Sequence, residues 1–198
     1  MEEKITKEIA QEIMKTRGEI RGMAMKGYAN FILYKEGKEG LKKVEEKMAS
    51  LGCDVKYGEV KTMKLYPIGL EKVALTVLEE LFNYNDEFYE MGKFVSKLPL
   101  VIRLFLKYLG SIEMIKNEVS RMWERYYTVG RLTVVEYDKD KKILIGRLEN
   151  FDLCPSHCKI AVGYFSSMLQ FIVKQAVICE EVKCIYKGDK YHEFLLTW

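Results

Sequence analysis

Residues 131–150 read RLTVVEYDKDKKILIGRLEN. Two runs rich in β-branched residues flank the turn-forming DKDK, and this pattern predicts a pair of antiparallel strands. Downstream comes FDLCPSHCKIAVGYF, residues 151–165, the start of a long helical stretch. Pro155 suits the first position of that helix and puts Cys154 at or beside its N-cap. The chain then closes with VICEEVKCIYKGDKYHEFLLTW, residues 177–198, a second hairpin turning around KGDK. The C-terminal unit is therefore strand, strand, helix, strand, strand.

Upstream the texture is helical. Ile5, Ile9, Ile13 and Met14 recur at helical spacing and predict a helix over 3–17. A new segment opens with MKGYANFILYKEG, and LKKVEEKMASLG reads as a helix closed by Gly52. Pro67 is expected to open another helix at its first turn. EFYEMGKFVSKL follows and stops before Pro99, then PLVIRLFLKYLG, and then SIEMIKNEVSRMWERYY with Ser111 near its cap. The fold class is α+β: a helical N-terminal two-thirds followed by an antiparallel sheet unit.

The 198 residues, 48% hydrophobic and 31% charged, suffice for one domain with a core of its own. Net charge is +3, but lysines alternate with glutamates along solvated helix faces, so no nucleic-acid partner is expected. The stretch AVGYFSSMLQFIV is short of the roughly 20 residues of a membrane span. MEEKITKEIAQEI is acidic, unlike a signal peptide. The expectation is a soluble, cytoplasmic protein without a membrane span. Five cysteines argue against a disulfide framework. Abundant Lys and Glu with scarce Gln lean towards a thermophile.

The cysteines carry the candidate chemistry. Cys158, Ala161, Tyr164, Phe165, Met168, Leu169, Ile172 and Val173 share one apolar helix face. A thiol at Cys154 would feel the helix dipole. In the last hairpin, Val182, Cys184 and Tyr186 alternate with Glu181, Lys183 and Ile185. His192, Phe194 and Leu196 alternate with Glu193, Leu195 and Thr197. The more apolar sets face the core together, which places Cys184 and His192 on one face. A two-residue Gly188-Asp189 turn would pair Cys184 with Glu193 instead, so a three-residue loop or a bulge near Gly188 is expected. Cys154, Cys158, Cys184 and His192, with His157 as substitute, form a set suited to zinc in a closed tetrahedral site. Two other readings stand beside it: cysteines packed as inert apolar groups, and a reactive thiol. Cys179 falls on the opposite face of a regular strand, and Cys53 reads as structural. Trp123, Tyr126 and Tyr127 read as a packing seam where helix gives way to sheet. Arg103 and Lys107 read as snorkelling to solvent. No phosphate-binding loop, no Ser-His-Asp order and no carboxylate pair stands out.

The order of these segments resembles a known group. MKGYANFILYKEGKEGL, YPIGLEKV and EMGKF are similar to the haem–nitric-oxide/oxygen-binding domain, and GYFSSMLQF with EVKCIYKGDKYHEFLLTW to the 4-vinyl reductase domain. Both share a superfamily with the small subunits of the TRAPP tethering complex. The resemblance covers residues 25–198 as one domain, with residues 1–24 as a separate N-terminal helix. It implies a homodimer and a pocket for a small apolar ligand. In the haem family a mid-chain histidine ligates iron and a Tyr-x-Ser-x-Arg motif holds the propionates. Here residues 60–125 contain no histidine. In CPSHC, Ser156 matches the motif while Cys154 and Cys158 stand for the tyrosine and arginine. Haem is accordingly not expected. The expected function is a non-enzymatic ligand-binding or sensory domain, with output through a signalling partner or a second copy. The alternatives are an enzyme of tetrapyrrole metabolism, as the vinyl reductase likeness implies, and a structural adaptor with a vestigial pocket.

Overall fold

A computed structural model describes residues 4–96 and 112–198, with backbone alone for 113–115. The helix expected over 99–110, with Arg103 and Lys107, and the cap at Ser111 lie outside the described residues. The chain divides into two compact units. One comprises Met1–Glu87 and Tyr126–Thr128, the other Phe88–Arg125 and Val129–Trp198.

In the first unit, α1 (Lys7–Ile13) is shorter than the expected 3–17; Thr6 is its N-cap and accepts from the Ile9 N–H. The strand β1 (Glu19–Arg21) pairs antiparallel with β2 (Leu65–Pro67). Pro67 therefore ends a strand rather than opening a helix, and α3 (Gly69–Phe82) begins two residues later. Between β1 and β2 runs α2 (Gly22–Ser50), broken at Gly37, whose φ of 71° with ψ of −172° suits glycine alone among ordinary residues. The core gathers apolar side chains of α2 and α3 such as Ile32, Met48, Val73 and Leu78. Residues 126–128 lie along β1: Arg21 N–H donates to the Tyr126 carbonyl and Thr128 N–H to that of Glu19.

The second unit holds α4 (Glu87–Val95), α5 (Ile112–Glu124) and α6 (Pro155–Val173), with strands β3 (Arg131–Asp138), β4 (Ile143–Glu149), β5 (Ile178–Lys183) and β6 (His192–Thr197). The strand–strand–helix–strand–strand order stands. The sheet is antiparallel in the order β3-β4-β6-β5, which leaves β5 at one edge. Its inner face carries Leu132, Leu144, Leu148, Phe194 and Leu196, all buried. Asp138 closes the DKDK turn by accepting from the N–H groups of Asp140 and Lys141.

Helix α6 buries Cys158, Ala161 and Leu169 of the expected stripe and a second stripe beside it. Tyr164, Phe165 and Met168 are half-buried, whereas Ser156, Ile160, Gly163 and Ser166 are buried. The cause is α4. A β-carbon on Gly92 would strike the Ile160 carbonyl oxygen, and one on Gly163 would strike that of Tyr89. Two glycines let the helix backbones touch, and Ser96 donates to Ser167 beside them at 2.7 Å. Trp123 does sit in a packing seam: it donates to the Val129 carbonyl and meets Phe151 edge-on. Tyr127 does not share its helix face, because α5 ends at Glu124.

Candidate functional site

Helix α6 starts as its sequence predicts, with Pro155 in the first turn and Cys154 as N-cap in extended conformation. That start points Cys158 towards the last hairpin. Its Sγ lies 4.0 Å from Cys184 Sγ and 3.7 Å from His192 Nδ1. His192 Nδ1 in turn lies 2.8 Å from Glu181 Oε1. One donor atom from each of Cys158, Glu181, Cys184 and His192 falls within 4.8 Å of every other.

Strand parity alone would keep Glu181 from Cys184, because residues three apart face opposite ways. A bulge resolves the conflict. Glu181 pairs with Phe194 and Lys183 with Glu193, so Val182 is the extra residue. Upstream of it Cys179 and Glu181 face the inner side; downstream Cys184 does. The expected irregularity is thus at Val182 rather than near Gly188. The connection itself is long, a 3₁₀ turn over Ile185–Lys187 followed by Gly188. Asp189 anchors it: its carboxylate accepts from Cys184 N–H at 2.8 Å and its own N–H donates to the Cys184 carbonyl.

The distances suit a tetrahedral ion. Zinc–sulfur bonds of about 2.3 Å and zinc–nitrogen bonds of about 2.0 Å imply ~3.8 Å between two sulfurs and ~3.5 Å between sulfur and nitrogen. The His192–Glu181 gap need only open by about half an ångström to admit the ion. His192 Nε2 donates to the Phe151 carbonyl at 3.1 Å. That bond orients the ring and leaves Nδ1 towards the cluster, as a metal-ligating histidine requires. Two lone pairs cannot face each other at the Nδ1–Oε1 distance, so a proton or a cation must lie between them.

The electrostatics match. Burial pushes the Cys158 and Cys184 thiols up, and for Cys158 the Glu181 charge adds to it. Burial also works against the Glu181 carboxylate, but hydrogen bonds from His192, Cys184 and Cys158 outweigh it and hold its pKa below the usual range. Without a cation the thiols stay neutral; a dication would reverse that balance. Cys179, half-buried, is pushed up to about 12 by burial and by Glu181 and Glu180.

Three of the residues singled out in the sequence, Cys158, Cys184 and His192, come together here. Cys154 and His157 do not join the four-donor set. Both line a neighbouring cavity with Leu148, Phe151, Tyr186 and Phe194. His157 is buried 4.9 Å from the Phe151 ring. Burial, then the nearness of His192, brings its pKa down to about 3, so the imidazole is neutral. The cavity measures about 10 Å³, roughly the room of one water molecule. Sequence reasoning missed Glu181, because only the bulge turns it inward.

No protein-family model matches the sequence, and no curated protein does. Solved structures do match, and they are similar to this chain in fold. One is an H-NOX protein from S. oneidensis in the Fe(II)NO ligation state, with 12% identity, 89% of this chain and 98% of that chain covered, and a TM-score of 0.59. A second comes from work on haem redox potential and porphyrin distortion, with 13% identity, coverage of 90% and 100%, and a TM-score of 0.58. A third is the phenol-responsive sensory domain of the transcription activator PoxR with phenol, with 13% identity, coverage of 69% and 77%, and a TM-score of 0.51. The first two correct the expectation against haem, since proteins of this fold carry it. Beside CPSHC, the described residues leave space for an ion or a water molecule rather than a macrocycle. At these identities the likeness establishes the fold, and the chain has the H-NOX fold.

Proposed function

We propose that this chain is a non-enzymatic sensing domain for a small, mostly apolar molecule. Its second unit is pinned by a structural zinc ion held by Cys158, Glu181, Cys184 and His192. The sensing reading rests on the fold, shared with proteins named for nitric oxide on iron and for phenol. The zinc reading rests on the four-donor cluster, which lies inside one unit and ties α6 to the β5–β6 hairpin. Two thiolates, an imidazole and a carboxylate fill all four positions of a tetrahedral ion, so the site stabilises rather than catalyses. Output would pass through a partner protein or a second copy of the chain.

Native mass spectrometry of protein purified without chelator tests both parts. One zinc ion per chain is expected, lost in Cys184→Ser. An additional organic mass would give the sensed molecule a formula, and a haem-sized mass would assign it to iron chemistry. A chain carrying neither zinc nor organic mass would overturn the proposal and favour the adaptor. A tetrapyrrole turned over to a reduced product would favour the enzyme.

A further inference from the structure

The first unit contains a buried polar group that the zinc site does not use. Glu71, in the first turn of α3, is 2% exposed. Its Oε1 accepts from the Tyr28 hydroxyl at 2.6 Å and the Tyr127 hydroxyl at 3.2 Å. The two phenol oxygens are 3.3 Å apart. The buried Tyr57 is a further titratable group nearby, its ionisation opposed by burial and then by Glu45 and Glu71. The residues come from different elements: Tyr28 from the long α2, Glu71 from α3, and Tyr127 from the short strap 126–128. Tyr127 is the strap's one buried side chain; Tyr126 is half-buried and Thr128 exposed. Backbone holds the strap by two bonds, Arg21 N–H to the Tyr126 carbonyl at 2.7 Å and Thr128 N–H to the Glu19 carbonyl at 3.0 Å. Thr128 Oγ1 also accepts from Glu19 N–H at 2.8 Å.

We propose that Tyr28, Glu71 and Tyr127 form a proton-operated latch that holds residues 126–128 against β1 and releases them when Glu71 ionises. A buried carboxylate must be hydrated or neutralised. Helices α2 and α3 are locked by many internal bonds, so the strap is the easiest element to displace for water. Burial, against the two phenol bonds that oppose it, raises the Glu71 pKa from 4.5 to about 7. The sign follows. Glu71 binds its proton more tightly in the closed state, so closure is fully favoured below pH 4.5. That advantage shrinks as pH rises through about 7 and is constant beyond.

Amide hydrogen exchange of the full chain, read by NMR and corrected for intrinsic rates, tests the latch. Between about pH 5 and pH 8, protection at Arg21 and Thr128 should fall by roughly 10- to 100-fold, the linkage expected for such a shift. Protection at Leu75 and Val77 within α3 should hold. Glu71→Gln should abolish the dependence. Tyr127→Phe removes a bond that favours the ionised form, so it should move the midpoint to higher pH. An equal fall within α3 would mean global destabilisation and would overturn the latch. So would flat strap protection in the wild type, a pH dependence that survives Glu71→Gln, or an unmoved midpoint in Tyr127→Phe.

Discussion

If the four-donor cluster holds zinc as proposed, a strong chelator should lower the melting temperature by about 10 °C, and added zinc should restore it. An ion present at 100 to 1,000 times its dissociation constant stabilises the folded state by roughly 3–4 kcal/mol. For a chain of this length each kcal/mol moves the midpoint by about 2–4 °C. The loss should centre on the β5–β6 hairpin, because Cys184 and His192 stand at the two ends of its loop. Two thiols and the His192–Glu181 pair give up three protons to the ion, so zinc affinity should fall by up to about 1,000-fold for each pH unit lost. Titration calorimetry in buffers of different ionisation enthalpy would read about three protons released per ion. Glu181→Gln keeps the volume and removes the charge, and should weaken binding without abolishing it. A melting curve indifferent to chelator, with no zinc by elemental analysis, would end this reading.

The glycine contact between α4 and α6 predicts the other large effect. Gly163→Ala places a methyl group where the Tyr89 carbonyl oxygen already sits. Backbone cannot step aside as a flexible side chain can, so the helices must separate. Overpacking of this kind costs about 3 kcal/mol or more, against about 1 kcal/mol regained from the better helix propensity of alanine. A net loss of about 2 kcal/mol should appear as a melting temperature lower by roughly 4–8 °C. Gly92→Ala should behave alike, since its β-carbon meets the Ile160 carbonyl. Gly146→Ala is the control. Its β-carbon finds only the Thr133 carbonyl at 4.0 Å, ordinary contact distance, and the melt should barely change. A Gly163→Ala protein as stable as wild type would mean that α4 and α6 do not touch there.

These sites differ in how far the sequence discloses them. Alternation across residues 131–150 and 177–198 is a local signal, and the strands follow it. Pro155 sets the start of α6, and with it the direction of Cys158. Same-face reasoning brought Cys184 and His192 together. Glu181 could not be reached that way, because one unpaired residue at Val182 reverses the parity that strand arguments assume. Glu71 was equally hidden. In GLEKVALTVLEEL it looks like any charge on an amphipathic helix, and its burial comes from tyrosines 43 residues before and 56 residues after it. The contact at Gly92 and Gly163 arises only once the two helices are set side by side. Periodicity sees one element at a time; these features exist only between elements.

The irregularity at Val182 has a second effect. β5 is one of the two edge strands of the sheet, with Ile178 63% and Val182 46% exposed. A straight, apolar outer strand is an open template onto which another chain can add its own backbone. The extra residue interrupts the outward row of N–H and C=O groups and increases the local twist, so a flat strand cannot lie alongside. Deleting Val182 would do two kinds of damage at once. Cys184 would turn to the outside, and the straightened border would become sticky towards copies of itself. The feature that aims a sulfur inward also makes this edge a poorer template for a neighbouring chain.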